Sequence, residues 1–236
     1  MKLSNQTVVV IGGSSGMGFG IAEAAAREGA RVVVASRSLE KCQVAVAKIT
    51  GKAEAKAINM SDEKSVQAFF EQLRPINHLI IPGSAVKTGP LKTTPTEDLL
   101  ASLGSKFIGP VLCAKYARFA EGGSLILFSG SLSRKPGNSS LLGAINAAVE
   151  TLAKGLAVEL APVRVNVISP GLTRGTGAFD SMPGDAREGM FAAVAAKLPV
   201  GRVGTPEDMA AVALCLMECS FMTGSVIDVD GGGLLI

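Results

Sequence analysis

Short apolar runs alternate with longer stretches of helical period along the whole chain, and that alternation constrains the fold more than any other feature. The runs read as strands are 7–11, 31–35, 53–58, 78–81, 124–128, 163–168 and 225–229. Helical stretches lie near 16–28, 38–49, 61–73, 96–120, 139–160, 185–197 and 205–218. The Val-rich runs lack polar alternation, which marks strands covered on both faces, as in a parallel sheet. Two helix starts carry good capping sequences, Ser61-Asp62-Glu63-Lys64 and Thr205-Pro206-Glu207-Asp208. Strand, helix and strand repeated in this way predict an α/β fold, a doubly wound sheet with helices on both faces. No linker, repeat or low-complexity tract interrupts the pattern, so residues 1–236 read as one domain.

Composition removes several function classes. The chain has 23 Lys and Arg against 20 Asp and Glu, and a net charge of +3 is too small and scattered to suggest nucleic acid as a partner. No unbroken run of 18 apolar residues occurs, so no membrane span is expected, and the first seven residues lack the apolar stretch of a signal peptide. Cytoplasm is the expected address. With a single His, a zinc site built on His pairs is impossible. Cys42, Cys113, Cys215 and Cys219 lack the paired spacing of thiolate sites, and Cys215 and Cys219, one helical turn apart, read as apolar packing. His78 opens an apolar run and is badly placed for a Ser-His-Asp hydrolase, so that class is set aside.

The first apolar run, Val8-Val9-Val10-Ile11, leads into Gly12-Gly13-Ser14-Ser15-Gly16-Met17-Gly18 and then a helix. Gly12 lets the chain turn, Gly16 lets the backbone approach a pyrophosphate, and Gly18 allows close helix packing. A helix N-terminus offers free N–H groups and the positive end of its dipole to that anion. Ser14, Ser15 and Met17 complete a dinucleotide-binding turn. The end of the second strand selects the dinucleotide. An acidic residue there would favour NAD, but Ser36 and Arg37 stand in its place, suited to a 2′-phosphate, so NADP(H) is the expected cofactor.

These features resemble the short-chain dehydrogenase/reductase family over nearly the whole chain. The glycine turn is similar to that family's TGxxxGxG, with Ile11 in place of Thr. Arg164-Val165-Asn166-Val167-Ile168-Ser169-Pro170-Gly171 resembles its RVNxxxPG segment, and Val226-Ile227-Asp228-Val229-Asp230-Gly231-Gly232 its closing strand and DGG tail. The resemblance implies a seven-stranded Rossmann-type parallel sheet of order 3-2-1-4-5-6-7, and homodimers or homotetramers formed through the fifth helix and last strand. It implies dinucleotide contacts at Asn59, Met60, Gly83, Ser84, Lys106, Pro170, Gly171, Leu172 and Thr173, and a substrate lid over 173–198. Met182, Met190 and Phe191 in that lid would line an apolar pocket or pack in the core.

The family's catalytic Asn, Ser, Tyr and Lys are matched only in part. Leu142 stands where the resemblance puts Tyr, and Asn146 where it puts Lys. Ser129 takes the Ser place, with Ser131 as the alternative under a one-residue shift. Pro82-Gly83-Ser84-Ala85 replaces the usual NNAG, and Tyr116, the one tyrosine, lies away from the expected phenol. The family's Asn aligns with Lys106, so ammonium and amide are both kept with their places exchanged. Lys106, Asn146 and Ser129 are therefore the candidate catalytic residues. A divergent branch of the family resembles this chain in its Ser105-Lys106-Phe107, Ser133-Arg134-Lys135 and Ala144-Ile145-Asn146-Ala147-Ala148 stretches, and its members bind NADPH. Arg134 and Lys135 read as solvated charges or as contacts for an anionic substrate. The expected function is NADPH-dependent reduction of a small carbonyl, enone or iminium substrate. The alternative is an NADP(H)-binding protein without turnover, a redox sensor or assembly partner.

Overall fold

A computed structural model describes residues 2–236 apart from 83–85, 88 and 178. The strands are β1 (Thr7–Ile11), β2 (Arg31–Ser36), β3 (Lys52–Ala57), β4 (Ile76–Ile81), β5 (Phe119–Phe128), β6 (Arg164–Pro170) and β7 (Val226–Val229). They form one seven-stranded sheet of order β3-β2-β1-β4-β5-β6-β7, and every pairing is parallel. The helices are α1 (Gly16–Arg27), α2 (Leu39–Val46), α3 (Glu63–Glu71), α4 (Thr96–Leu103), α5 (Gly109–Tyr116), α6 (Ser140–Glu159), α7 (Gly184–Ala195) and α8 (Pro206–Glu218). This is the α/β Rossmann-type arrangement expected from the alternation.

Successive strand residues point to opposite faces, and in β1, β2, β4 and β6 both faces are buried. Val8, Val10, Val32 and Val34 pack with α1, α2 and α8 through Ile21, Ala25, Cys42, Met209 and Leu216. Val9, Ile11, Val33 and Leu79 pack on the other side with α3, α5 and α6 through Phe69, Phe70, Cys113, Ile145 and Val149. That two-sided burial is the reason the strands read as unbroken apolar runs. At the expected caps, Asp62 accepts from the Lys64 N–H at the start of α3. Thr205 and Asp208 form a reciprocal capping box on α8.

The helix expected over 96–120 is three elements instead. α4 ends at Leu103, a π-helical turn runs Gly104–Ile108, and α5 ends at Tyr116. The stretch begins again as strand β5 at Phe119, five residues ahead of the expected strand, because Phe119 already pairs with Ile76. The π turn is only five residues long, too short for the period of 96–116 to reveal it. Lys106 lies in that turn, and π turns occur frequently at functional sites.

Eighteen consecutive residues of the 20-residue α6 average a hydropathy of 1.4, long and apolar enough by those measures to cross a bilayer. The absence of an unbroken apolar run had pointed the other way. In the fold α6 packs on the sheet through Ile145, Asn146, Val149 and Ala153.

Candidate active site

The C-terminal ends of β1, β2 and β3 open into a cleft of about 610 Å³. Its lining includes ten of the residues expected to hold a dinucleotide: Gly12, Ser14, Ser15, Gly16, Met17, Gly18, Ser36, Arg37, Asn59 and Met60. The turn has the geometry its glycines imply. Gly12 and Gly16 have φ of 93° and 56°, where a side chain is strained. A Cβ on Gly18 would lie 2.2 Å from the Gly12 carbonyl oxygen, so α1 can start this close to the turn only with glycine there. The N-cap Ser15 makes no side-chain cap bond and the first turn of α1 holds no acidic residue, so its N–H groups face the cleft uncapped.

The turn also receives the segment after β6. A Cβ on Gly16 would meet the Gly175 oxygen and Thr176 Cα, each at 3.0 Å, and Thr176 and Gly177 line the cleft. Pro170, Gly171, Leu172 and Thr173, the expected contacts, are not in that lining. Instead the Gly171 N–H donates to Val229 O and the Gly204 N–H to Leu172 O, and a Cβ on Gly171 would lie 2.7 Å from Asp230 Cα. These residues fasten the end of β6 to β7 and to the closing tail. Gly83 and Ser84 lie outside the described residues.

Deeper in, the exchanged pair converges on one stretch of backbone. Lys106 Nζ donates to the carbonyls of Phe128 (3.4 Å) and Ser129 (3.2 Å). Asn146 Nδ2 donates to the carbonyl of Gly130 (3.2 Å). Burial pushes the Lys106 ammonium down to about 8, since its partners are carbonyls and bring no opposite charge. Asn146 is buried, and its Oδ1 has no hydrogen-bond partner among the described residues. Lys106 borders a small apolar void with Ser105, Pro110 and Phe128, next to the large cleft that Ser105 also lines. Ser129 is buried and its hydroxyl donates to Glu150 Oε1 at 2.8 Å. Ser131 lies in the following turn, where its carbonyl accepts from the Arg134 and Lys135 N–H groups.

Comparison with known proteins gives the same assignment. A family profile described as enoyl-(acyl carrier protein) reductase matches residues 11–233. A short-chain dehydrogenase/reductase of Stachybotrys chlorohalonatus is 31% identical over 99% of this chain and 98% of its own. The chain belongs to the short-chain dehydrogenase/reductase family. Carbonyl reductase family member 4 of Xenopus laevis is 32% identical over 97% of this chain and 98% of its own. A small-chain dehydrogenase crystallised with NADPH is 40% identical, with a TM-score of 0.85 over 98% of this chain and 99% of that one.

Against that family background several expectations need correction. Arg134 is not a free charge awaiting an anion: it forks onto Asp228 of β7 and donates to Ser169 Oγ at 2.9 Å. Lys135 donates to the carbonyls of Gly233 and Ile236. Tyr116, by contrast, lies away from the cleft as expected and donates to Glu63 at 2.6 Å. Phe191 is buried against Phe179, with Arg174 stacked over its ring at 4.8 Å, and neither Met182 nor Met190 lines the cleft. Cys215 is exposed rather than packed. Residues that sequence reasoning passed over lie here too, among them Ser105, Ser61, Thr176 and Gly177 in the cleft lining, and Glu150 bonded to Ser129. Glu150 had a readable signal, because it falls one helical turn after Asn146 and shares its face.

Proposed function

We propose that this protein is an NADPH-dependent reductase of a small carbonyl or carbonyl-like compound. The observation that carries the reading is the cleft, with uncapped N–H groups of α1 at one end and Ser36 with Arg37 at the end of β2. The residues present fit a phosphorylated dinucleotide. The glycine turn would hold the pyrophosphate, and Arg37 with Ser36 the 2′-phosphate. The relative bound to NADPH and the carbonyl reductase among the similar proteins support the same choice.

Bound NADPH would supply a hydride. The protein's own part is to orient the acceptor and steady the charge that develops on its oxygen. Ser129 would hold that oxygen. Lys106, whose ammonium lies on the Ser129 carbonyl, would contribute positive charge to the developing alkoxide from within a site of low polarity. The segment 173–198 would close over the substrate as a lid. Its Thr176 and Gly177 already lie on the cleft, and Arg174 bridges to Glu188 at 2.9 Å.

The test is NADPH oxidation against a panel of ketones, enones and iminium compounds, with Lys106→Ala and Ser129→Ala beside the wild type. Each substitution should lower turnover at least tenfold, and unchanged turnover in both would reject the assigned roles. Arg37→Ala should weaken NADPH binding about 10- to 100-fold and leave NADH binding nearly unaltered, as expected for one charge-assisted contact to phosphate. A second reading has an observation of its own: Lys106 and Asn146 both hold the main chain at 128–130. Tight NADPH binding with no oxidation on any panel member would favour a dinucleotide-binding sensor or assembly partner.

A further inference from the structure

A carbonyl that takes up hydride at carbon also needs a proton at oxygen, and a serine hydroxyl has one proton to give. In this protein that proton is already directed elsewhere, from Ser129 Oγ to Glu150 Oε1 at 2.8 Å. Ser133 Oγ donates to the same oxygen at 2.7 Å, and Arg134 Nη2 lies 3.5 Å from it. Arg134 is itself held on Asp228 and Ser169, so the carboxylate sits against a braced partner. Glu150 follows Asn146 by one turn of α6, and Asn146 is bonded to Gly130, so this face of the helix runs along the end of β5. Ser129 is only 4% exposed, whereas the Glu150 side chain retains 14%. The carboxylate thus joins a buried hydroxyl to solvent.

We propose that Glu150 is the proton relay of this site, acting through Ser129 where a phenol is lacking. The proposal rests on the reading of Ser129 as the residue at the reacting oxygen. In reduction, the carbonyl carbon gains the hydride that the dinucleotide supplies, and the C=O π pair moves to oxygen. That oxygen takes the Ser129 proton, Ser129 takes one from the carboxylic acid form of Glu150, and Glu150 is reprotonated from solvent. In alcohol oxidation each transfer runs backward. Glu150 touches Ser129 rather than substrate, so it is a positioning and relay residue. The charged groups around it are Arg134 with Asp228, and Lys106 on the far side of the Ser129 peptide.

An N-alkylated iminium ion separates the relay from mere structure, because its reduction to a tertiary amine consumes hydride and no proton. The experiment compares tetralone with N-methyl-dihydroisoquinolinium, a ring-matched pair, in wild type, Glu150→Gln, Glu150→Asp and Ser129→Ala at saturating NADPH. Glu150→Gln should lower kcat for the ketone by about 10²-fold or more, the usual worth of general acid assistance. It should leave the iminium within threefold, and Glu150→Asp should restore at least a tenth of the ketone rate. Equal losses on both substrates, or an unchanged ketone rate, would overturn the proposal, as would a wild type that binds NADPH yet reduces no ketone. A wild type that fails to bind NADPH would overturn the underlying functional reading as well, which a fluorescence titration decides separately. If Glu150→Gln does not fold, Ser133→Ala removes one donor from the carboxylate and keeps the path. It must then shift the ketone pH profile and leave the iminium profile in place, and a profile that does not move overturns the proposal.

Discussion

Two buried titratable side chains make opposite demands on pH. His78 on β4 is bonded through Nδ1 to Ser124 and through Nε2 to Gln6, and burial, with the Arg164 charge nearby, lowers it from 6.5 to about 4. Above pH 6.5 the ring is neutral in both folded and unfolded chains. Between 6.5 and 4 only the unfolded chain takes the proton, so stability falls as pH falls and the loss is complete below about 4. The shift corresponds to roughly 3 kcal/mol. Urea unfolding at pH 7 and pH 4.5 should show a lower midpoint at the acid pH, and His78→Gln should remove most of that difference. For turnover, Lys106 sets the opposite limit. Its ammonium is held below about 8 and lost above it. If its charge stabilises the developing alkoxide, ketone turnover should decline about tenfold per pH unit above 8, and Lys106→Arg should push that decline to higher pH.

At the scale of elements, the start of α1 carries the tightest constraint. Adding a methyl group to Gly18 places carbon 2.2 Å from the Gly12 oxygen, so turn and helix must separate. Gly18→Ala should cost about 1–3 kcal/mol in unfolding free energy and weaken NADPH binding at least tenfold, readable by denaturant titration and fluorescence. The strand–turn–helix sequence around Gly12, Gly16 and Gly18 made this element legible in advance, because each glycine answers a steric need local to the turn. The π turn at Gly104–Ile108 was not legible in the same way. Its extra residue is defined by backbone hydrogen bonds, and neither apolar spacing nor composition reports those.

At the scale of the whole molecule, the sheet leaves apolar side chains on its outer helices and last loop. Val158 on α6 is 78% exposed, and Phe221 just before β7 is 98% exposed. Family resemblance pointed to pairing through this helix and this strand, so a dimer or tetramer is the expected solution state. Val158→Asp should reduce the mass seen by light scattering to that of a smaller assembly, with NADPH binding retained. An unchanged mass would place the contact elsewhere.

What the sequence determined by itself is whatever rests on short-range chemistry and periodicity. Apolar runs buried on both faces dictate a parallel sheet, strand-to-helix alternation dictates its winding, and glycine spacing marks the dinucleotide turn. The exchange of Lys106 and Asn146 could be noticed in the chain, yet only the tertiary structure brings both onto the carbonyls of 128–130. The same holds for Thr176 folded onto Gly16, for Arg134 braced by Asp228 and for Glu150 beneath Ser129. Those contacts join residues between 16 and 160 positions apart. Where such side chains meet depends on how helices dock against the sheet, which no local pattern encodes.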